Sequence, residues 1–260
     1  MKSKIQHTLL NYRVIGNGHP VLFLHGFLES NSMWKYLPLE ELKVQVIQID
    51  LPGHGESITL KDPIASINLM AKEVLKVIEN LELNEFSIVG HSMGGYVALE
   101  LQMLINQCNK VVLLNSNFWA DSPEKMNDRK RIAEIVMNAK SLFLKEAIPN
   151  LFSNSANFQK EISDLLLEAN ELSSEAIAYA SMAMANRTDF TQIVHEKKMN
   201  LSIIQGEIDR IVPMEKMDLE ISSDIDYFIL PNTCHMSHIE NPLGVMAVLK
   251  EIFDEKKRKP

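Results

Sequence analysis

Gly90-His91-Ser92-Met93-Gly94 places a serine hydroxyl between small residues, where it could act as a nucleophile. The apolar segment before it, residues 86–89, predicts a short buried strand, and residues 96–104 after it predict a largely buried helix. A sharp turn from strand to helix would strain the backbone of Ser92 and expose its hydroxyl, while the glycines let the two elements approach closely. We therefore predict that Ser92 is a nucleophile. The alternative is an ordinary turn whose serine caps the helix.

A serine hydroxyl becomes a good nucleophile only when a base accepts its proton and a carboxylate orients that base. With the serine at a strand-to-helix turn, the acid and then the histidine are expected further along the chain. Asp209 follows the predicted strand 201–205 after a short loop that contains Gly206, so it would lie at the same sheet edge as Ser92. We predict that Asp209 is the acid. Two alternatives stay open: Glu207 takes its place, or Asp209 is a turn residue that caps the next helix.

The loop after the last predicted strand, residues 226–230, offers two histidines, His235 and His238. His235 is nearer to the strand end, and we predict that it is the base. His238 is interpreted as a structural residue of this loop or of the following helix. Cys234 precedes His235 but belongs to no strand-to-helix turn, so it is interpreted as a small packed residue.

Attack on a carbonyl carbon creates an oxyanion, which needs hydrogen-bond donors. One donor is predicted to be the main-chain N–H of Met93, at the start of the helix behind Ser92. The other is predicted to be the main-chain N–H of Phe27, in the loop after the strand of residues 21–24. His25 begins that loop, and we interpret it as a hydrogen-bonded scaffold.

Strands alternate with helices along the chain, which predicts an α/β protein with a doubly wound, mostly parallel sheet. Gly16-Asn17-Gly18 is a turn sequence, and it predicts an antiparallel hairpin at the start of the sheet. The other predicted strands cover residues 44–50 and 110–114 in addition to those above. Open sheets of this kind bind ligands at the carboxyl ends of their strands, so the reacting residues should meet there.

One segment, residues 118–196, contains amphipathic stretches such as 131–144 and 161–172 but no convincing strand. It is too long for a single crossover helix, so we predict a helical cap (lid) over the carboxyl edge of the sheet. The cap would be inserted into an α/β core of residues 1–117 and 197–260. Trp119, Met182 and Met184 are its candidate substrate-binding residues. Because methionines make adaptable walls, a small or medium apolar acyl group is expected.

The composition limits the possible partners. The chain of 260 residues has 26 basic and 34 acidic side chains and a formal net charge of −8, which argues against nucleic acid or an anionic membrane as a partner. Its two cysteines make no disulfide framework, and we find neither a signal peptide nor a bilayer-spanning stretch, so a cytoplasmic location is expected. We expect no metal and no cofactor, since neither metal-ligand spacing nor a phosphate-binding loop is found. The oligomeric state, monomer or homodimer, stays open.

Taken in order, these motifs resemble those of the α/β-hydrolase superfamily over essentially the whole chain. They are His25-Gly26-Phe27, Asp50-Leu51-Pro52-Gly53-His54-Gly55-Glu56-Ser57, residues 90–95, Gly206-Glu207-Ile208-Asp209, and His235 with Glu240-Asn241-Pro242. The resemblance implies that Ser92, Asp209 and His235 match the family's nucleophile, acid and base. It also implies that Phe27 and Met93 match its oxyanion donors. Among the relatives, small esterases, enol-lactonases and related serine hydrolases with a helical cap look most similar. Cys234 departs from the glycine or alanine that they usually have before the histidine.

The function expected from these residues is hydrolysis of a carboxylic ester or lactone through an acyl-enzyme intermediate. An acyl thioesterase and a lyase could use the same three side chains. A non-catalytic small-molecule-binding member of the fold is the alternative from another class, and the full set of serine, acid and histidine argues against it.

Overall fold

The computed structural model describes residues 10–196, 198–222 and 224–253. Its strands are β1 Tyr12–Ile15, β2 His19–Leu24, β3 Val44–Ile49, β4 Phe86–His91, β5 Cys108–Leu114, β6 Leu201–Gly206 and β7 Asp226–Leu230. They form one sheet in the order β1-β3-β2-β4-β5-β6-β7. Only β1 is antiparallel to its neighbour; all the other paired strands are parallel. The predicted α/β class with a mostly parallel sheet is therefore confirmed.

The prediction of an antiparallel hairpin at the start of the sheet is wrong. β1 pairs with β3, where Tyr12 lies opposite Ile49, and β3 separates β1 from β2. The reason is burial. The second half of β2, residues 21–24, is fully buried and pairs with β3 on one side and β4 on the other. The half-exposed β1 is left to cover the free edge of β3.

Helices connect the strands and cover both faces of the sheet. They are α1 Ile67–Asn80, α2 Met93–Leu104, α3 Pro123–Ala147, α4 Gln159–Glu171, α5 Ser174–Ala185, α6 Thr191–His195, α7 Met214–Glu220, α8 Ser237–Glu240 and α9 Pro242–Phe253. α1 shows why they form: the Ser66 hydroxyl caps its first turn by accepting the Leu69 N–H, and its apolar residues recur at helical spacing. α1 and α2 pack on one face of the sheet and α9 on the other.

The four helices α3–α6 lie between β5 and β6, in the segment for which the sequence predicted a helical cap. α3, α4 and α5 share an apolar cluster with Leu28, which follows β2, and with Met236, which precedes α8. These helices are therefore packed against loops that leave the carboxyl edge of the sheet. α3 is kinked at Ala139, whose backbone leaves the helical region at φ −144° and ψ 42°.

Within the described part of the chain, no helix combines the length and the apolar character needed to cross a membrane.

Candidate active site

Ser92 lies in a strained turn between β4 and α2. Its φ is 48° and its ψ is −114°, outside the regions that L-residues normally occupy. Glycines make the turn possible, because a Cβ on Gly94 would lie 2.3 Å from the Leu24 carbonyl oxygen. Such strain persists only where the surrounding structure holds it, and it is concentrated at functional sites.

A chain of hydrogen bonds connects Ser92 to two distant parts of the sequence. The His235 Nε2 atom lies 2.9 Å from the Ser92 Oγ atom, and the His235 Nδ1 atom lies 2.9 Å from the Asp209 Oδ2 atom. β6 ends three residues before Asp209 and β7 ends five residues before His235. Because β4, β6 and β7 run parallel in the same sheet, both residues lie at the edge where β4 ends and Ser92 follows. All three side chains are buried or nearly so, at 8%, 4% and 4% relative exposure for Ser92, His235 and Asp209.

Asp209 is held as a carboxylate. Besides His235, its Oδ1 atom accepts the main-chain N–H groups of Ile211 (2.8 Å) and Val212 (3.0 Å). Its Oδ2 atom accepts the side-chain amides of Asn115 (2.9 Å) and Gln205 (3.2 Å). Burial opposes ionisation, but His235 and these hydrogen bonds outweigh it, so the pKa of Asp209 lies below its ordinary value.

The alternative residues named in the sequence lie elsewhere. Glu207 is exposed, and its Oε2 atom accepts the Asn232 N–H at 2.8 Å. His238 is fully buried in α8, where its Nε2 atom lies 3.3 Å from the Glu29 Oε1 atom, and burial lowers the pKa of His238. His25 connects two loops: its Nδ1–H donates to the Gly26 carbonyl and its Nε2 accepts the Leu51 N–H.

The predicted oxyanion donors follow β4 and β2, two paired strands of the sheet. Met93 is the first residue of α2, so its N–H has no acceptor within the helix. Phe27 follows β2, which pairs with β4. The next residue, Leu28, has a φ of 68°, and a buried leucine in this left-handed region marks a second strained turn at the same edge.

Asn115 is a site residue whose role the sequence analysis missed. It follows β5 at a φ of 47°, and its Nδ2 group donates both to Asp209 and to the Cys234 carbonyl, at 3.1 Å. The Ser237 hydroxyl in turn donates to the Asn115 Oδ1 atom. Asn115 thus joins the acid to both sides of the His235 loop. Its position directly after a strand was the feature that could have identified it.

The three candidate substrate-binding residues are separated. Trp119 and Met184 are buried in one apolar cluster that also contains Met93, the residue beside the nucleophile. Met182 is half-buried and lies outside that cluster. Because residues two positions apart point in nearly opposite directions on a helix, Met182 and Met184 cannot line the same wall.

Among the described residues, one group has metal-ligand chemistry: the buried side chains of Glu29, His91 and His238, whose ligand atoms lie within 4.8 Å of one another. The Glu29 Oε2 atom is only 2.8 Å from the His91 Nδ1 atom, which is a hydrogen-bond distance. Two ligands of a tetrahedral ion with bonds of about 2.1 Å would stand roughly 3.4 Å apart. Glu29 and His91 are therefore arranged as a hydrogen-bonded pair and not as two ligands of one ion.

The chain is similar to hydrolases and to a synthase. It is 29% identical over 84% of its length to the uncharacterized hydrolase YugF of Bacillus subtilis, of which it covers 84%. It is 23% identical over 90% of its length to the 2-succinyl-6-hydroxy-2,4-cyclohexadiene-1-carboxylate synthase of Enterobacter sp., of which it covers 91%. A longer protein, PHYLLO of Arabidopsis thaliana, is 24% identical over 91% of this chain, but the chain spans only 15% of it.

A solved structure supports the same grouping. A thermophilic esterase from Thermogutta terrifontis, with malate bound, superposes with a TM-score of 0.85 at 28% identity, over 94% of this chain and 92% of that chain. The family model described as the alpha/beta hydrolase fold matches residues 19–242, the segment that contains every residue of the site above. The chain therefore belongs to the α/β-hydrolase family.

Proposed function

We propose that the protein is a serine hydrolase that cleaves a carboxylic ester or lactone through an acyl-enzyme. The hydrogen-bond chain from Ser92 through His235 to Asp209 is the observation that carries this proposal. The Asp209 carboxylate accepts the His235 Nδ1–H, which leaves the Nε2 atom free to accept the Ser92 proton. The esterase among the structural neighbours supports the choice of an ester bond.

In the first half of the reaction, the Ser92 Oγ atom attacks the substrate carbonyl carbon while its proton passes to the His235 Nε2 atom. The main-chain N–H groups of Phe27 and Met93 would stabilise the oxyanion. The ester C–O bond then breaks, and His235 returns the proton to the leaving oxygen. In the second half, water donates a proton to His235 and attacks the acyl carbon. The bond between the acyl carbon and the Ser92 Oγ atom then breaks, and His235 returns the proton to Oγ, which releases the acid and restores Ser92.

The cap is proposed to select the acyl group. The connection between α3 and α4 contacts the loops of the site, since the Leu151 carbonyl accepts the His235 N–H at 3.1 Å and the Phe152 carbonyl accepts the Arg210 side chain at 3.2 Å. Trp119 and Met184, which belong to the same large apolar cluster as Met93, would supply an apolar wall, which favours a small or medium apolar acyl group. Such a cover also excludes water from the reacting atoms.

A triad-using lyase is the second candidate, because the Enterobacter relative is a synthase. In that reaction His235 and Ser92 would act as a base on a C–H or O–H proton, and no acyl-enzyme would form. An acyl thioesterase would follow the same steps as the esterase with sulfur as the leaving atom.

Labelling with a fluorophosphonate, followed by turnover of short-chain nitrophenyl esters and acyl thioesters, tests the proposal. We expect the wild type to be labelled at Ser92 and to hydrolyse an ester. Ser92→Ala should lose labelling and lower kcat by roughly 10⁴–10⁶-fold while it stays folded. The matched control is Ser202→Ala, since Ser202 is buried at the opposite edge, where its hydroxyl donates to Asp226. A wild type that is neither labelled nor active on these substrates would contradict the proposal.

A further inference from the structure

Glu29 is a buried carboxylate that the proposed chemistry does not use. It is 3% exposed, and it lies two residues after Phe27. Its Oε2 atom accepts the Gly26 N–H at 3.0 Å and lies 2.8 Å from the His91 Nδ1 atom. Its Oε1 atom faces the His238 Nε2 atom at 3.3 Å. The Gly26 N–H and two histidine rings, from three parts of the chain, therefore converge on one carboxylate.

Both ring nitrogens of His91 face oxygen atoms. Its Nδ1 atom faces Glu29, and its Nε2 atom lies 3.0 Å from the His235 carbonyl oxygen, which can only accept. The Nε2 atom must therefore carry a proton. The remaining proton belongs either to the His91 Nδ1 atom or to Glu29, and the Gly26 N–H, which also donates to Glu29, favours the ionised carboxylate. His91 is then an imidazolium, paired with Glu29.

The surrounding charges agree with this assignment. Burial alone would lower the pKa of His91, but Glu29 and the hydrogen bonds to Glu29 and to the His235 carbonyl outweigh it and raise that pKa. Burial also opposes ionisation of Glu29, but His91 and His238 hold the pKa of Glu29 well below its ordinary value.

The pair lies where three segments of the site meet. The carboxylate holds the oxyanion loop through the Gly26 N–H, and His91 directly precedes Ser92 in the turn. The His91 Nε2–H holds the main chain of His235. The packing is tight, since a Cβ on Gly26 would lie 2.4 Å from the Glu29 Oε2 atom and 2.6 Å from the His91 Nδ1 atom. The strained Leu28 lies in the same loop, between Phe27 and Glu29.

We propose that Glu29 is a positioning residue: its buried ion pair with His91 holds the Phe27 main chain and the His235 main chain in register with Ser92. This inference rests on the proposed function for its catalytic consequence. Glu29 touches no reacting atom in this scheme. It acts on the oxyanion donor through Gly26 and on the base through His91, so its loss should affect the transition state more than substrate binding.

Spectroscopy tests the ion pair without any substrate. In ¹⁵N-histidine spectra at pH about 8, well above the ordinary histidine pKa of about 6.5, we expect both ring nitrogens of His91 to be protonated. Its signals should vanish in His91→Gln. The other fully buried histidines, His25, His54 and His238, have pKa values lowered by burial and should be neutral. The same spectrum is expected from Ser92→Ala. A neutral His91, or signals that shift on addition of a chelator, would overturn the inference.

Kinetics of Glu29→Gln, His91→Gln and the double variant test the positioning role. A glutamine cannot replace both functions of the carboxylate. An oxygen in the Oε2 position leaves His91 without a counter-charge, and a nitrogen there leaves the Gly26 N–H without an acceptor. We expect kcat to fall by roughly 10–100-fold with KM within about twofold, as for a small misplacement of reacting groups. The double variant should cost less than the product of the two single effects, because both single variants remove the same Glu29–His91 interaction.

Glu73→Gln is the matched control. Glu73 is also a buried glutamate in an ion pair, with Lys76, but it lies on α1. Its kcat should stay at the wild-type value. A kcat of Glu29→Gln within about twofold of wild type, an effect confined to KM, or additive single variants would overturn the positioning role.

If Glu29→Gln does not fold, the wild-type spectrum still decides the ion pair. If the wild type proves inactive, the proposed function fails, while the spectrum tests the pair separately.

Discussion

Replacing Asp209 by asparagine should reverse the direction of the hydrogen bond that orients His235. The two oxygens of Asp209 have different neighbours: Oδ1 accepts the main-chain N–H groups of Ile211 and Val212, whereas Oδ2 accepts the side-chain amides of Asn115 and Gln205. The main-chain donors cannot turn away, so the asparagine oxygen should occupy the Oδ1 position. Its NH₂ group would then take the Oδ2 position, 2.9 Å from the His235 Nδ1 atom in the wild type.

An NH₂ group at that position can only donate, so we expect the His235 Nδ1 atom to become its acceptor and to give up the longer contact with the Oδ1 oxygen, 3.1 Å in the wild type. The imidazole proton then moves to the Nε2 atom, which faces the Ser92 hydroxyl and can no longer accept its proton. The wrong tautomer in a serine protease costs about 10⁴-fold in kcat, or about 5 kcal/mol of activation free energy. We expect a loss of about 10³–10⁴-fold here. The free energy of unfolding should fall by about 1–3 kcal/mol, because the Asn115 and Gln205 amides both lose the Oδ2 atom as a buried acceptor.

The assay is kcat for a short-chain nitrophenyl ester, together with the ¹⁵N spectrum of His235 in Asp209→Asn. The spectrum should show the ring proton on the Nε2 atom. Glu207→Gln is the control, because Glu207 is an exposed carboxylate two residues earlier whose partner is the Asn232 N–H. A kcat of Asp209→Asn within about tenfold of wild type would refute the reasoning. So would a severe loss in Glu207→Gln.

Two further predictions concern the segment between β5 and β6. Met184→Ala should change the ratio of kcat/KM between a butyrate and an acetate ester by roughly tenfold, since one lost apolar contact is worth about 1–3 kcal/mol. Met182→Ala, on the same helix, is the control. Equal ratios in the two variants would show that Met184 does not contact the acyl group. Asp121→Asn should lower stability by about 3 kcal/mol, because the buried Asp121 lies 2.8 Å from Arg187 and 3.0 Å from Arg129, and both cations would lose their counter-charge. Arg129 and Arg187 hold the pKa of Asp121 below its ordinary value against the effect of burial, so this stability is present above the ordinary carboxyl pKa and is lost as the pH falls through the lowered one. Urea unfolding across that range checks it, with the exposed Asp128→Asn as the control; a difference between Asp121→Asn and wild type that does not shrink in acid would contradict the assignment.

Local patterns in the sequence were enough for the sheet class and for the candidate reacting residues. Continuous apolar runs predicted buried parallel strands, and the serine between glycines predicted a strand-to-helix turn, because both depend on neighbours within a few residues. The order serine, acid, histidine then selected Asp209 and His235; in the structure Asp209 lies within hydrogen-bond distance of His235, and His235 within hydrogen-bond distance of Ser92.

Only the tertiary structure decided the relations between distant segments. β1 joins β3 and not β2, because pairing depends on which strand edge stays free, which no turn sequence specifies. Asn115 meets Asp209 across 94 positions, and Glu29 meets His91 across 62. The charge state of that pair follows from burial and from the atoms that face each ring nitrogen. Spacing along the chain does not encode the Glu29–His91 contact or its charge state. Both arise when β2, β4 and the His235 loop converge at one edge of the sheet.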